Sequence, residues 1–82
     1  EMAVSIKFHG MQRLVTNTDS IDMSITEKTT VNDALEYVKQ QYPALHLEEG
    51  TVIAAVNLEI ASLDRILQDN ETVSFLPNIA GG

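Results

Sequence analysis

Apolar and polar residues alternate in three stretches of the chain, and a period of two predicts half-buried β-strands. The apolar members, which would face one common core, are Val4, Ile6 and Phe8 in the first stretch, Ile21, Met23 and Ile25 in the second, and Val73 and Phe75 in the third. We expect the second strand to pair antiparallel with the first. The third is predicted over Thr72–Leu76, with Ser74 and Leu76 outward. Its pairing should stop at Pro77, since proline cannot donate to a sheet ladder.

Between the second and third strands, the apolar spacing changes from two to that of an amphipathic helix. The residues on the predicted apolar face are Val31, Ala34, Leu35, Val38 and Tyr42. Thr30 and Asp33 are suited to the start of this helix, because a threonine hydroxyl accepts an amide bond and a carboxylate favours the positive end. Pro43 should end the helix at Gln41 or Tyr42.

The remaining segments complete one small α+β domain. Val52–Val56 is a nearly continuous apolar run, which predicts a central strand. We interpret residues 11–16 as a turn or strand, residues 45–50 as a loop, and residues 60–67 as a turn with a short edge strand. One helix across a mixed sheet, in this order, resembles the ubiquitin-like β-grasp. We expect the domain to span residues 1–77 and a flexible tail to span residues 78–82.

Composition and charge exclude several classes of function. The chain of 82 residues has no cysteine and a formal net charge of -7, so disulfides, thiol catalysis and thiolate metal ligands are excluded. Without a basic stripe, neither nucleic acid nor an anionic membrane is an expected partner, although a basic protein partner stays open. No segment resembles a signal peptide or reaches the ~20 apolar residues of a membrane span. We therefore expect a cytoplasmic protein.

Motifs for catalysis or metal binding are missing from the sequence. His9 and His46 are the only histidines, without metal-ligand spacing, so no metal site is predicted. Neither a Gly-x-Ser-x-Gly turn nor a glycine-rich phosphate loop is present. We expect a protein that is not an enzyme by itself and binds no cofactor.

The chain ends in Gly81-Gly82, directly after the apolar strand and Pro77. Without side chains, such an arm can adopt backbone angles closed to other residues and enter a narrow cleft. Taken alone, this ending is equally consistent with a frayed terminus.

Two stretches give the ending a more specific interpretation. Residues 48–57, EEGTVIAAVN, and residues 67–82, LQDNETVSFLPNIAGG, resemble the MoaD-type family, the small sulfur-carrying subunits of molybdopterin synthase. The thiamine-pathway ThiS proteins share the fold and the terminal Gly-Gly, but the Phe-Leu-Pro approach favours the MoaD side. Asn78 stands where a second proline is usual, and Asn70 stands where a turn glycine is usual.

The resemblance implies that Gly82 carries the reactive carboxylate and that Gly81 keeps the tail slender. A MoeB/ThiF-like adenylating enzyme would activate the carboxylate with ATP, and a sulfur donor protein would convert it to a thiocarboxylate. The modified tail would then enter a MoaE-like large subunit of molybdopterin synthase and give up its sulfur to a pterin precursor. In this family, apolar positions matching Ile60 and Leu76 dock these partners, and His9 replaces a third apolar position.

Further implications of the resemblance concern the tail and the rival functions. Pro77, Asn78, Ile79 and Ala80 would lie along the path into the partner. Ile60 and Leu76 could instead be ordinary packing residues. Sulfur carriage for thiamine, cysteine or tRNA thiolation, conjugation as a ubiquitin-like modifier, and a non-catalytic β-grasp binding module are the alternative functions.

Overall fold

The computed structural model describes residues 1–47 and 50–77. These residues form five strands, two α-helices and one short 3₁₀ helix. In chain order the elements are β1 (Ala3–Lys7), α1 (Met11–Thr16), β2 (Ser20–Ser24), α2 (Val31–Gln41), the 3₁₀ helix (Pro43–Leu45), β3 (Val52–Val56), β4 (Glu59–Ile60) and β5 (Thr72–Pro77).

The five strands form one mixed sheet in the order β2-β1-β5-β3-β4. β1 and β5 run parallel, whereas the β1–β2, β3–β5 and β3–β4 pairs are antiparallel. The expected pairing of the first two strands is therefore confirmed, and so is the α+β arrangement of a β-grasp. The prediction of a central strand over Val52–Val56 is confirmed in that β3 has a neighbouring strand on each side. β3 is an interior strand, but β5 occupies the middle of the sheet.

The core lies between α2 and one face of the sheet. The buried apolar residues of this cluster come from both layers and the adjoining loops: Val4, Ile6, Phe8, Met23, Ile25, Val31, Ala34, Leu35, Val38, Leu47, Ala54, Val56, Leu67, Val73 and Phe75. The predicted inward positions of the three alternating strands are nearly all among them, while Ile21 packs half-buried against the cluster. Burial of these side chains removes apolar surface from water and is the main stabilising contribution to a domain of this size.

The start of α2 forms as its sequence predicts. The Thr30 hydroxyl accepts a bond from the Asp33 amide at 3.1 Å, and an Asp33 carboxylate oxygen accepts the Thr30 amide at 2.9 Å. This reciprocal capping box satisfies two amide donors that the first turn would otherwise leave free. The helix ends at Gln41, as the proline at position 43 requires.

Residues 11–16 form a helix, so their interpretation as a turn or strand is wrong. Gly10 starts the segment with φ 54°, and Asn17 ends it in the left-handed conformation with φ 59°. The amide of Asn17 donates to the carbonyl of Arg13 at 2.9 Å, which closes the last turn. The segment is only six residues long, so its apolar spacing gave too few repeats to favour the helical period over others.

A bidentate ion pair ties the segment before β5 to the start of that strand. The guanidinium of Arg65 donates to both carboxylate oxygens of Glu71, at 2.9 and 2.8 Å, and the Gln68 amide donates to the same carboxylate at 2.7 Å. The hydrogen bonds from Arg65 favour the ionised carboxylate and hold the pKa of Glu71 below its usual value. The backbone carbonyl of Glu71 accepts the Ser5 amide at 3.0 Å, so the pair lies beside the β1–β5 contact.

Candidate functional site

The candidate site lies at the C-terminal end of β5. β5 extends through Pro77, which is in register with Val52 of β3. The strand is therefore one residue longer than predicted, and Pro77 is its last residue rather than the first residue beyond it. The antiparallel position at Pro77 tolerates proline because it lies at the very end of the ladder. Asn78, Ile79, Ala80, Gly81 and Gly82 lie outside the described residues.

The two apolar positions proposed for docking share one face of the sheet. Leu76 of β5 is in register with Ile53 of β3, and Ala55 of β3 lies between Ser74 of β5 and Ile60 of β4. Because paired residues point to the same face, these side chains all project from the face opposite α2. We call Ile53, Ala55, Ile60 and Leu76 the outer patch.

Members of the outer patch differ in exposure. Ile60 has 82% of its surface exposed, whereas Leu76 is half-buried. Leu76 therefore points outward as predicted, but only part of its surface is exposed. The structure brings Ile60 and Leu76 to one face, and their docking role stays a prediction.

A polar connection next to the outer patch was not predicted from the sequence. His9 Nε2 lies 2.9 Å from the Ser74 hydroxyl, and Ser74 is only 5% exposed although it points outward. The side-chain amide of Gln12 donates to the backbone carbonyl of Phe75 at 2.5 Å. No pattern in the sequence identifies Ser74 as a neighbour of His9 or the Phe75 carbonyl as a neighbour of Gln12.

The described residues hold no group of three or more histidine, cysteine, aspartate or glutamate side chains that could ligate a metal ion. His9 and His46 line the same surface depression, although they are far apart in sequence. Within the same described residues, no helix is long and apolar enough to cross a membrane.

Comparison with known proteins adds independent information. Residues 6–82 match the family model described as the ThiS family. The chain is 31% identical over 75 residues to a molybdopterin synthase sulfur carrier subunit of Mycobacterium tuberculosis, covering 92% of this chain and 90% of that protein. It is also 31% identical over 81 residues to a protein of the same name from Escherichia coli K12, covering 96% and 99% of the two chains.

A solved structure supports the fold. The putative molybdopterin converting factor, subunit 1, from Pyrococcus furiosus superposes with a TM-score of 0.81 at 23% identity, covering 96% of this chain and all of that one. At this identity the likeness shows the fold alone, which is the β-grasp arrangement of one helix across a mixed sheet.

Proposed function

The chain belongs to the ThiS family, and we propose that it is a sulfur carrier that serves molybdopterin formation through a thiocarboxylate on Gly82. The observation that carries the proposal is the family match, which continues through the terminal Gly-Gly at residue 82. Two relatives that match almost end to end are named sulfur carrier subunits of molybdopterin synthase, and they favour this pathway over the thiamine pathway.

The chemistry follows from the state of the terminal carboxyl group. Its ordinary pKa is about 3.5, so at neutral pH it is an anion and a poor electrophile. Attack of a Gly82 carboxylate oxygen on the α-phosphorus of ATP forms an acyl adenylate and releases pyrophosphate. Hydrosulfide then attacks the acyl carbon, AMP leaves with the bonding electron pair, and loss of a proton gives the thiocarboxylate. No oxidant or reductant is needed for this sequence.

In this scheme the catalytic groups belong to a partner protein rather than to the carrier. Pro77 is the last described strand residue, and five residues follow it in the sequence, with an extended reach of roughly 17 Å. That reach is enough for Gly82 to enter a buried site while the β-grasp body stays outside. The carrier is then a tethered substrate, and the enzyme that holds it supplies positioning of the reacting groups.

Three kinds of protein partner fit this scheme. A MoeB/ThiF-like enzyme would use ATP to adenylate Gly82, and a sulfur donor protein would supply the sulfur. A MoaE-like large subunit would bind the loaded tail while its sulfur passes to a pterin precursor. We assign the outer patch to docking of these partners, because an exposed isoleucine beside other apolar side chains is suited to a protein contact. ATP would bind to the adenylating enzyme rather than to the carrier, and we place this chemistry in the cytoplasm.

Intact-mass spectrometry tests the proposal. The carrier is incubated with the cognate adenylating enzyme, ATP and sulfide, and its mass should rise by the difference between one sulfur and one oxygen atom. Reactions without ATP, and a chain lacking Gly82, should show no change. An unmodified carrier in the presence of an enzyme that is active on its other substrates would contradict the proposal and favour a non-catalytic binding module.

A further inference from the structure

Helix α1 presents its apolar side to solvent. Met11 is 74% exposed, Leu14 is 75% exposed and Val15 is 45% exposed. These residues occupy positions i, i+3 and i+4, which lie on one face of a helix. We call them the α1 stripe. A helix of only six residues is usually held in place by burying its apolar face, so this arrangement is the reverse of the expected one.

Polar contacts link the start of α1 to β5, and the helix also packs against the 3₁₀ helix. The ladder between β1 and β5 ends at the pair Lys7 and Ser74. Beyond it, the side-chain amide of Gln12 donates to the Phe75 carbonyl at 2.5 Å, while its oxygen accepts the His9 amide at 3.0 Å. His9, two residues before α1, adds a contact between its Nε2 and Ser74 Oγ at 2.9 Å, so two side chains attach the start of α1 to Ser74 and Phe75 of β5. The side chains of the α1 stripe take no part in these hydrogen bonds.

The same helix borders the point where the described chain ends. A surface depression of about 530 Å³ is lined by both polar and apolar groups, and its apolar walls include Met11, Leu45, Val52 and Pro77. Val52 and Pro77 belong to the α2-facing alternation of their strands. The depression and the outer patch thus lie on different sides of the end of β5.

The length of chain beyond Pro77 determines what can cover this surface. Five residues follow Pro77, so Gly82 can lie at most roughly 17 Å from it. Any enzyme that encloses Gly82 in its active site must therefore contact the surface around Pro77. This surface includes Met11 at the rim of the depression, and the rest of the α1 stripe continues from it along the helix.

We propose that the α1 stripe and the adjoining depression form a second docking site for the adenylating enzyme, which binds it with apolar side chains. This inference rests on the proposed function and adds a binding surface to it. The enzyme would hold the carrier on both sides of the departing tail, with the outer patch on one side and the α1 stripe on the other. Two contacts that flank the tail would fix its direction, whereas one contact would leave the body free to pivot.

Glutamine substitutions test the α1 stripe without removing helix formers. Leu14→Gln and the double variant Met11→Gln/Leu14→Gln keep good helix propensity and remove apolar contact. The KM for the carrier in ATP–pyrophosphate exchange should rise roughly tenfold for the double variant, the size expected for loss of central interface contacts. Catalytic turnover at saturation should stay within about twofold of wild type, because no group near the reacting atoms is changed. Leu14→Met should retain the wild-type KM.

Ile66→Gln is the matched control. Ile66 is 44% exposed and lines a separate depression with Met2, at the end of the sheet where β1 and β5 begin. Its substitution should leave KM unchanged. If the double variant has a lowered melting temperature, the KM of the single variant Leu14→Gln tests the inference instead. The Leu14 side chain is 75% exposed and therefore contributes little to the core.

An unchanged KM for folded Leu14→Gln would overturn the inference. In that case, sulfur loading of wild type at Gly82 would still support the proposed function. Sedimentation analysis tests the alternative occupant of the α1 stripe, which is a second copy of the chain. A wild-type dimer that Leu14→Gln dissociates, with KM unchanged, would assign the α1 stripe to self-association and also overturn the inference. A monomeric wild type with a raised KM in the variant supports it. If wild type is never adenylated, the proposed function itself fails.

Discussion

At the scale of single residues, the turns with positive φ after β3 and before β5 are the most informative. Asn57 and Leu58 connect β3 to β4 with φ values of 50° and 72°, and Asn70 precedes β5 with φ 68°. Asparagine adopts this left-handed region more readily than most residues. Its place at position 70, where a turn glycine is usual in the family, is therefore explained by the backbone. Leucine has no such preference, and Leu58 is also 93% exposed.

Replacing Leu58 by glycine should stabilise the free protein. Asn57 and Leu58 form the two-residue connection of a hairpin with both φ positive, for which Asn-Gly is the favoured sequence. We expect Leu58→Gly to raise the free energy of unfolding by about 1 kcal/mol, because glycine relieves the left-handed strain and no buried contact is lost. Urea denaturation measures the change.

Asn57→Ala is the comparison variant in the same turn. It should lower stability, since the Asn57 side-chain oxygen accepts the Thr72 amide at 2.9 Å and alanine lacks both this bond and the tolerance for positive φ. A Leu58→Gly protein no more stable than wild type would show that the turn holds leucine without strain.

At the scale of elements, Arg65 and Glu71 predict a pH dependence. The pKa of Glu71 is lowered in the folded protein, first by the hydrogen bonds from Arg65. The stabilisation is therefore complete above the pKa of an unfolded glutamate, about 4.3, and is lost as the pH falls through the lower folded value. Glu71→Gln should cost about 1 kcal/mol at pH 7, since the partly exposed Arg65 is screened by solvent.

Denaturation of wild type and Glu71→Gln between neutral and acidic pH tests this linkage. The difference in unfolding free energy between the two proteins should shrink as the pH falls below the ordinary glutamate range. Glu27→Gln is the control, because Glu27 is exposed on the surface. A difference that stays constant down to the lowest pH at which both proteins fold would contradict the assigned role of the ion pair.

The elements were predictable where their pattern is long and their buried face is regular. α2 shows both features, and its capping residues Thr30 and Asp33 give its start directly. α1 shows neither, because its apolar residues face outward and its attachment depends on Gln12 and a backbone carbonyl of β5. The position of β5 in the middle of the sheet also could not be predicted, since it follows from pairing between distant segments rather than from local composition.

At the scale of the whole molecule, the sequence predicted the β-grasp, whereas the shared face of Ile60 and Leu76 is a finding of the strand register. The sequence did not predict that Leu76 is half-buried or that α1 exposes a second apolar surface beside Pro77. Both depend on which side chains cover one another after folding. The chemistry of Gly82 was inferable because it depends on the chain terminus and the family resemblance rather than on packing.

The outer patch gives a prediction at this scale. Ile60→Asp should leave the free energy of unfolding within about 0.5 kcal/mol of wild type, because the side chain is exposed and outside the core. Its affinity for the adenylating enzyme, measured by calorimetry, should fall roughly tenfold or more, since a charge would be buried against an apolar surface. Ile66→Asp carries the same added charge away from the patch and should bind normally. Equal affinity of the two variants would assign Ile60 no part in docking.

Localisation of the added sulfur tests the central claim most directly. Wild-type carrier is loaded with the adenylating enzyme, ATP and sulfide, and is then fragmented in the mass spectrometer. We predict that every C-terminal fragment carries the mass of one sulfur in place of one oxygen, and that every fragment lacking Gly82 has its unmodified mass. Sulfur found on any other residue, or a fully unmodified terminus with an active enzyme, would contradict the account.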